Sequence, residues 1–377
     1  MIPYRKMFPS IEIRIVIPCY NEPEVMQTMH SLLACLRPEC GVEILIVVNS
    51  YRISPEPIKQ FNRQTCGELN VFAEKYSTPD WLINPLLVED LPGRQTGAGL
   101  PRKIGMDRAA AQFEAENHPQ GIIVSLDADC TVSENYLTEI YRCFRQYRLK
   151  SATIEFHHPV EHLPETGEIR QAAETYEIYL RYYRAALEYT GYPYPYYTIG
   201  SAFAVTAQTY RQAGGMGKQQ AGEDFYFLQK VFPLGKTHFI AAACVYPAAR
   251  ISDRVPFGTG PAIAKMVSEK QFRKLSYHPA AFAELKNLFE RVEGLFKQPP
   301  AVAEQLLQDL PPHTRKFLEE EHFIEKITEI NRYTGTAASF KKRFFSYFTA
   351  FKILKYLNFV HPQPYLLMDV RELSFET

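Results

Sequence analysis

The sequence predicts an α/β fold, with a mostly parallel sheet flanked by helices and a helical C-terminal extension. Three observations support this prediction. Short apolar, β-branched segments alternate with helical segments as far as about residue 260. Several apolar segments end in polar or acidic residues, which is typical of buried strands that reach solvent at one end. Beyond residue 262 the pattern is helical only, so we expect two domains, 1–262 and 263–377.

The predicted elements begin with a β-α-β unit. Residues 11–17 form an apolar strand, residues 25–36 a helix with one apolar face, and residues 42–48 a second strand. This order predicts adjacent parallel strands. Further strands are expected near 70–73 and at 121–126, 152–156, 200–205 and 238–245, and a strand or an insertion at 82–88. Further helices are expected at 57–64, 100–113, 135–147, 165–189 and 223–231.

Composition excludes several classes of protein. Hydrophobic residues make up 46% and charged residues 22%, and the net charge is zero, so nothing points to a nucleic-acid partner. Seven cysteines without a Cys-x-x-Cys pair argue against a disulfide framework or a zinc site and favour a reducing compartment. No segment approaches the ~18 apolar residues of a membrane span, and the first residues lack a signal-peptide core. We therefore expect a cytoplasmic protein, with at most peripheral contact at the inner face of the membrane.

A pair of carboxylates follows the predicted strand at 121–126. Asp127 and Asp129 are separated by one residue. The carboxyl edge of an open α/β sheet is where ligands bind. Mg²⁺ and Mn²⁺ take oxygen ligands and commonly share them with a substrate's phosphates. The pair therefore predicts a metal site for a phosphorylated substrate, and the structural alternative is a strand-end turn with a helix N-cap.

Other polar motifs accompany this pair in a fixed order. They are Pro18-Cys-Tyr-Asn-Glu22, Val47-Val-Asn49, a Gly-rich loop at 94–99 leading to Leu100-Pro-Arg-Lys103, Asp127-Ala-Asp129, Gly200-Ser-Ala-Phe-Ala, Gly214-Gly-Met and Gly222-Glu-Asp224. The ordered set resembles family 2 glycosyltransferases with the GT-A fold, over roughly residues 11–260. Each motif alone is common, whereas the order and context make the match specific.

The resemblance implies a nucleotide-diphospho-sugar donor, a UDP- or GDP-sugar, and residues that bind it. Pro18, Tyr20 and Glu22 match the loop that holds the nucleoside. Asn49 stands where the family usually has an aspartate that contacts the base or ribose, so the base is left open, although an amide can still pair with a base edge. The matches near the donor's phosphates are Arg102, Lys103 and Asp127.

The resemblance also implies a metal and a base. Asp127 and Asp129 match the Asp-x-Asp motif that holds Mg²⁺ or Mn²⁺, and Glu223 and Asp224 match the motif that supplies the catalytic base in inverting members. A metal and cationic side chains stabilise the charge that develops on a leaving diphosphate. An inverting displacement needs a carboxylate that takes the acceptor's proton. The structural alternative for Glu223 and Asp224 is capping of the helix at 223–231.

Two further groups are predicted to border the site. Arg250 and Arg254 precede a glycine loop and are expected to fold over the diphosphate, or else to form a solvated surface loop. On the acceptor side we expect Tyr194 and Tyr196, from a tyrosine-rich segment, together with His157. Tyrosine faces and hydroxyls suit sugar rings, whereas the tyrosines at helical spacing equally predict packing.

The segment 340–357 combines aromatic residues at helical spacing with five basic residues. Such a segment can lie on an anionic membrane surface. The alternative is docking on the catalytic domain or on a second protomer in a homo-oligomer.

Together these features predict a metal-dependent glycosyltransferase that moves a sugar to an acceptor hydroxyl, with inversion, in glycan or polysaccharide biosynthesis. The acceptor is left open among a carbohydrate, a lipid-linked glycan and a small molecule. One alternative is a retaining transferase on a small acceptor, in which Asp224 would position that acceptor. Another is a non-catalytic nucleotide-sugar-binding protein, for which Asn49 is the hint.

Overall fold

The structure is a computed structural model of the 377-residue chain. It describes residues 9–93, 97–161, 163–164, 166–217, 222–251 and 258–373. The chain divides into two compact units, the first up to Ala173 and from Thr198 to Glu269, the second from Glu174 to Tyr197 and from Lys270 onward. The division at Glu269 lies close to the predicted boundary at 262. The inclusion of 174–197 in the second unit was not anticipated, because these residues sit inside the predicted α/β region.

An eight-stranded sheet forms the centre of the first unit. Its strands are β1 Ile11–Cys19, β2 Gly41–Tyr51, β3 Trp81–Leu91, β4 Ile122–Ser125, β5 Cys130–Val132, β6 Ser151–Phe156, β7 Phe203–Thr206 and β8 Thr237–Pro247. The strand order is β3-β2-β1-β4-β7-β6-β8-β5. The first four strands are mutually parallel, β7 is antiparallel to β4 and β6, β8 is parallel to β6, and β5 is antiparallel to β8. The predicted α/β fold is confirmed, and so is the parallel pairing of its first two strands.

Helices flank this sheet. The helices of the first unit are α1 Val25–Ala34, α2 Glu56–Tyr76, α3 Gly99–Ala115, α4 Tyr136–Tyr147, α6 Ala207–Gln212, α7 Glu223–Val231 and α8 Thr259–Glu269. Helix α5 Glu168–Tyr189 begins in this unit and belongs to the second unit from Glu174. Helix α3 approaches the sheet closely at Gly105, where an added Cβ would lie 2.4 Å from Val16 Cγ1. A glycine is therefore needed there for α3 to lie against β1.

Two strand predictions need comment. The strand predicted near 70–73 is wrong, because these residues belong to α2. The buried residues of α2 recur every three or four positions (Asn62, Thr65, Cys66, Leu69 and Phe72), which is the period of a helix face. Residues 82–88 form a strand rather than an insertion, since they lie in β3. Pro85 is tolerated there because β3 is an edge strand.

The strand order creates a crevice next to β1. The chain runs outward from β1 through β2 to β3, and then returns to place β4 on the other side of β1. Ligands bind in open α/β sheets at such a switch in order, outside the carboxyl ends of the strands. Because β7 is antiparallel to both neighbours, β6 and β8 run in the same direction as β4. We call the side of the sheet where β1, β2, β4, β6 and β8 end, and where β7 begins, the carboxyl edge.

A buried ion pair crosses the sheet away from this edge. The guanidinium of Arg14 in β1 donates to Glu43 of β2 at 2.6 Å, and both side chains are 2% exposed. Arg14 also donates to both carboxylate oxygens of Glu116, at 2.5 and 3.0 Å, and its Cζ lies 4.0 Å from the centre of the Phe113 ring. Removing one partner of such a pair leaves a buried charge without compensation.

Helices dominate the second unit beyond Lys270, as predicted. They are α9 Pro279–Glu290, α10 Pro300–Leu306, α11 Pro312–Glu320, α12 Phe323–Arg332, α13 Ala337–Tyr347 and α14 Ala350–Phe359. Strand β9 Leu275–Ser276 before α9 and strand β10 Met368–Asp369 after α14 pair as a two-stranded ribbon. Phe344 and Phe348 of the predicted amphipathic segment are buried. Their rings pack against Phe289 of α9. The aromatic face of 340–357 therefore packs largely within this unit. Among the helices described, none combines the length and the apolar character that crossing a membrane requires.

Candidate active site at the carboxyl edge

Arg102 is a buried cation in the first turn of α3 that joins carboxylates from two other elements. Its side chain is 3% exposed, and Nη2 donates to Asp127 Oδ1 at 2.5 Å. Nη1 donates to a carboxylate oxygen of Glu223. Gly200 lies directly against the guanidinium, since a Cβ added there would be 2.8 Å from Nη2. Burial opposes the charge of Arg102, but Asp127 and Glu223 keep its pKa above the ordinary value. Arg102 thus links the loop after β4 to the start of α7.

Asp224 lies in the first turn of α7, next to Glu223. Gly222 precedes the helix with φ of 71°, a left-handed conformation that glycine adopts readily. The Asp224 carboxylate is partly buried and accepts the backbone N–H of Phe225 at 2.7 Å. Burial and the neighbouring Glu223 charge raise the pKa of Asp224 to about 6, against the opposing effect of Arg102. Asp224 is therefore a stronger base than an ordinary aspartate and is still mostly ionised at neutral pH.

Arg250, which follows β8, gathers three carboxylates. It donates to a carboxylate oxygen of Glu22 through Nη2. The same nitrogen donates to Asp129 Oδ2 at 3.2 Å, and Nη1 donates to Glu24 Oε2 at 3.2 Å. The Glu22 side chain is only 1% exposed, and its Oε1 accepts the backbone N–H of Glu24. Arg250 therefore ties the loop after β1 to the loop after β4.

The residues gathered here carry more negative than positive charge. Six carboxylates share this part of the edge with two guanidinium groups: Glu22, Glu24, Asp127, Asp129, Glu223 and Asp224, with Arg102 and Arg250. Six against two leaves an excess of four negative charges when all are ionised. Such an excess attracts cations and repels an anion that arrives without them.

Asp127 and Asp129 fit a hard divalent cation. Their side chains are 35% and 26% exposed, and they offer oxygen ligands within an acidic cluster. Two protein carboxylates are what Mg²⁺ commonly uses when phosphates and water supply its other ligands. Within the described residues, no group of three or more His, Cys, Asp or Glu is arranged to hold a metal ion.

Asn49, near the end of β2, has a buried and unpartnered amide. The residue is 0% exposed, and neither Oδ1 nor Nδ2 has a hydrogen-bond partner. Its backbone carbonyl accepts from Asn62 Nδ2 at 2.7 Å, and Asn62 Oδ1 accepts the backbone N–H of Asn21 at 2.9 Å. Asn62 thereby fixes the end of β2 to the loop after β1. An unpartnered buried amide is costly unless a ligand pairs with it.

Two tyrosines are near Asn49 in the sheet, since Tyr51 follows it by two residues in β2 and Tyr20 follows Cys19, which pairs with Val48. The Tyr20 hydroxyl is 3.2 Å from Ser54 Oγ, and the Tyr20 and Tyr51 rings meet edge to face with centroids 6.0 Å apart. The Tyr51 hydroxyl donates to the carbonyl of Gly97 at 2.5 Å. The sequence interpretation missed Tyr51, yet alternation along β2 places residues two apart on the same face as Asn49. Its position in the strand was therefore a usable signal.

The remaining predicted site residues make no contact with Arg102 or Arg250 among the contacts described above. Pro18 is buried in β1, and His157 follows β6 at the same edge, with Nε2 2.8 Å from Glu161 Oε1. Lys103 pairs with Asp107 one turn along α3 at 2.7 Å, because residues four apart lie on the same face of a helix. Their predicted roles stay predictions. Tyr194 and Tyr196 belong to the second unit, and Arg254 falls outside the described residues.

No protein-family model matches the chain, and no curated protein matches it. Solved structures that resemble it include S. aureus TarS 1-349 in complex with UDP-GlcNAc, at 10% identity, 88% coverage of this chain, 89% of that chain and a TM-score of 0.44. Another is the mannosyltransferase PcManGT from Pyrobaculum calidifontis in complex with GDP-Man and Mn²⁺. It is 14% identical, the match covers 94% of this chain and 84% of that chain, and the TM-score is 0.41. Both were solved with a bound nucleotide-sugar, and PcManGT is named a mannosyltransferase. At TM-scores below 0.5 this likeness supports no conclusion about the activity or ligands of the present chain.

Proposed function

We propose that this chain is a metal-dependent glycosyltransferase that moves a sugar from a nucleotide-diphospho-sugar to an acceptor hydroxyl with inversion, in glycan or polysaccharide biosynthesis. One observation carries the proposal: Arg102 joins Asp127 of the carboxylate pair directly to Glu223, the neighbour of Asp224. Residues suited to a donor diphosphate and a residue suited to proton transfer are thereby held together at the switch point of the sheet.

The acidic surroundings explain why a metal is needed. A diphosphate would meet the net negative charge described above and be repelled by it. A divalent cation held by Asp127 and Asp129, either Mg²⁺ or Mn²⁺, would supply the charge that neutralises the leaving diphosphate. Arg250 bridges Glu22, Glu24 and Asp129, so its guanidinium lies beside the proposed ligand Asp129. We propose that Arg250 contacts a phosphate oxygen of the bound nucleotide-diphospho-sugar.

Asp224 is the proposed general base. Its carboxylate takes the proton of the acceptor hydroxyl as that oxygen bonds to the anomeric carbon. The bond from the anomeric carbon to the diphosphate oxygen breaks on the opposite face, and its electron pair leaves with the nucleoside diphosphate. The products are an inverted glycoside, the nucleoside diphosphate and a protonated Asp224. Arg102 holds Glu223, the neighbour of Asp224, so it acts as a positioning residue for the base.

On the nucleoside side we propose Asn49 and Tyr20. The Asn49 amide offers an NH₂ donor group and a carbonyl acceptor that lack protein partners, and a base edge can pair with both. Tyr20 offers a ring whose position is fixed by Ser54 and Tyr51. Either a UDP- or a GDP-sugar meets these requirements. On the acceptor side the proposed residue of this unit is His157, and the acceptor itself is left open among a carbohydrate, a lipid-linked glycan and a small molecule.

The test combines donor binding with transfer. Purified protein is screened by thermal shift against UDP- and GDP-sugars with Mn²⁺, Mg²⁺ or EDTA, where a donor at 100 times its Kd stabilises by about 2.7 kcal/mol. We expect a metal-dependent shift for one donor. Asp129→Ala should abolish the metal-dependent part of that shift. A donor that binds equally well with EDTA, or an Asp129→Ala variant with full metal-dependent transfer, would contradict the proposal.

Two alternatives have their own readouts. NMR of the product's anomeric centre separates inversion from retention, in which Asp224 would position the acceptor. A non-catalytic nucleotide-sugar-binding protein would show the donor-induced shift with neither transfer nor donor hydrolysis, and Asn49 is the residue that favours this alternative.

A further inference from the structure

Tyr210 of α6 is a fully buried tyrosine whose ring packs against α7. Its exposed fraction is 0%, and its ring centroid lies 5.5 Å from that of Phe227. Phe227 is also buried and follows Glu223 by one turn of α7. The centroid of the Phe227 ring lies 5.9 Å from that of Phe203 in β7. The helix whose first turn carries Asp224 is therefore packed against α6 and β7 through Phe227.

The hydroxyl of Tyr210 connects α6 to α3. It donates to Asp107 Oδ1 at 2.7 Å and accepts the backbone N–H of Met216 at 3.1 Å. The other carboxylate oxygen of Asp107 accepts from Lys103 Nζ at 2.7 Å, so this side chain is itself held in place. Because a buried hydroxyl without partners is costly, these bonds favour a single position of the Tyr210 side chain.

The chain turns beside this hydroxyl, at the Gly214-Gly-Met motif. Gly214 and Gly215 have φ of 79° and 73°, left-handed values that glycine adopts readily. The Gly215 N–H donates to the carbonyl of Tyr210 at 2.9 Å, which closes the end of α6. A Cβ added at Gly215 would lie 3.4 Å from both Asp107 Oδ1 and the Tyr210 hydroxyl. The turn that leads toward α7 is thus fixed to α3 and α6.

Helix α3 contacts the start of α7 by two routes. Arg102, in the first turn of α3, pairs directly with Glu223. Asp107, further along α3, acts through Tyr210, whose ring contacts Phe227. The first contact alone would leave α7 free to rotate about Glu223, and the second contact limits that rotation.

We propose that Tyr210 is a positioning residue for Asp224, because its hydrogen bonds to Asp107 and Met216 fix where α7 presents that carboxylate. The inference rests on the proposed function, in which Asp224 takes the acceptor's proton. Misplacing a reacting group by about 1 Å can lower a rate by about a hundredfold. Loss of the hydroxyl should therefore lower kcat. The KM of the donor should stay within about twofold, because the proposed metal ligands take no part in these hydrogen bonds.

The first measurement is release of nucleoside diphosphate from the donor selected by thermal shift, with Mn²⁺ present and water as the acceptor. Tyr210→Phe keeps the ring against Phe227 and removes the hydroxyl, and its kcat should fall at least tenfold. Asp107→Ala removes the acceptor of the same hydrogen bond from a side chain that is 40% exposed, so it should fold and lower kcat similarly. The double variant should be about as slow as Tyr210→Phe, because both changes remove one hydrogen bond.

Tyr136→Phe is the matched control. Tyr136 of α4 is also 0% exposed, but its hydroxyl has no hydrogen-bond partner among the described residues. The kcat of this variant should stay within about twofold of the parent's.

The second measurement needs no transfer. In urea unfolding, Asp224→Asn should stabilise the protein at pH 8 but not at pH 4, because burial penalises the charged carboxylate. In the Tyr210→Phe background this gain should be at most half as large, because Asp224 then leaves its buried place beside Glu223. If the parent releases no nucleoside diphosphate from any donor, the proposed function fails, and this measurement still decides whether Tyr210 positions Asp224.

Three results would overturn the role of Tyr210. The first is a kcat of Tyr210→Phe within twofold of the parent's, or a decrease no larger than that of Tyr136→Phe. The second is a double variant in which the effects of Tyr210→Phe and Asp107→Ala multiply. The third is a stability gain from Asp224→Asn that is the same with and without the Tyr210 hydroxyl.

Discussion

Replacing Asp224 by asparagine should abolish transfer and yet stabilise the protein at neutral and alkaline pH. The pKa of Asp224 rises from 3.8 to about 6 in the folded protein, because burial and Glu223 penalise the charged form. The folded state therefore binds this proton more tightly than the unfolded state. Stability conferred by the protonated form is fully present below about pH 4 and is lost as pH rises through about 6. Asparagine carries no charge and escapes that loss.

The magnitude follows from the shift. About two pKa units at 1.36 kcal/mol each give an upper bound of about 3 kcal/mol above pH 7. For a unit of this size the gain corresponds to a rise in Tm of several degrees. The hydrogen bond from the Phe225 N–H is retained, since the asparagine side chain keeps an oxygen at this position. Transfer should fall by 10²-fold or more, because the base is lost.

The assay is urea unfolding of the parent and Asp224→Asn at pH 4, 6 and 8, with transfer measured on the same samples. The expected result is equal stability at pH 4 and a more stable variant at pH 8. Asp309→Asn, on an exposed turn of the second unit, is the matched control and should show neither the pH-dependent gain nor the loss of transfer. A variant less stable than the parent at pH 8 would refute the electrostatic reasoning. Retained transfer would refute the assignment of the base.

Three other substitutions test separate contacts. Arg14→Ala should lower the free energy of unfolding by about 3–5 kcal/mol in urea titration, because it leaves the buried Glu43 carboxylate uncompensated; a loss below 1 kcal/mol would contradict this. Arg250→Met should raise the affinity of the ligand-free protein for Mn²⁺ in calorimetry, because the guanidinium no longer competes for Asp129; unchanged or weaker binding would argue against that competition. Gly200→Val should lower transfer at least tenfold, because the added side chain displaces the guanidinium of Arg102. Gly67→Ala has open space around the new Cβ and should leave transfer unchanged. Equal effects of the two variants would contradict the displacement of Arg102.

The sequence predicted the strand ends better than their arrangement. β-branched runs that stop at polar residues identify where β1, β2 and β4 end, and these ends carry Glu22, Asn49 and Asp127. The periodicity of apolar residues along the sequence contains no information about the order of strands in the sheet. The crevice between β1 and β4 could therefore only be assumed from the resemblance to family 2 glycosyltransferases. The strand predicted at 70–73 was wrong as well, because these residues belong to helix α2.

Long-range ion pairs were the least predictable part of the site. Arg102 and Glu223 are 121 residues apart, and Arg250 and Glu22 are 228 apart. Each of these residues was singled out by its own motif, but no local pattern says which carboxylate an arginine will meet. The pairing depends on the antiparallel β7 and on the parallel alignment of β8, which bring their flanking residues to the edge where β1 and β4 end. Tyr51 and Ser54 were missed because they match no motif.

The acid excess and the raised pKa of Asp224 together determine how the proposed base responds to pH. In the ligand-free protein, burial and then the neighbouring Glu223 charge raise this pKa to about 6. A cation that enters with the donor adds positive charge to the same cluster and favours the ionised form. The value of kcat/KM reports the free enzyme and should therefore decrease below about pH 6. The value of kcat reports the enzyme with donor and cation bound, so it should begin to decrease only at a lower pH. If kcat decreases at the same pH as kcat/KM, or at a higher pH, the cation held by Asp127 and Asp129 does not influence the charge of Asp224.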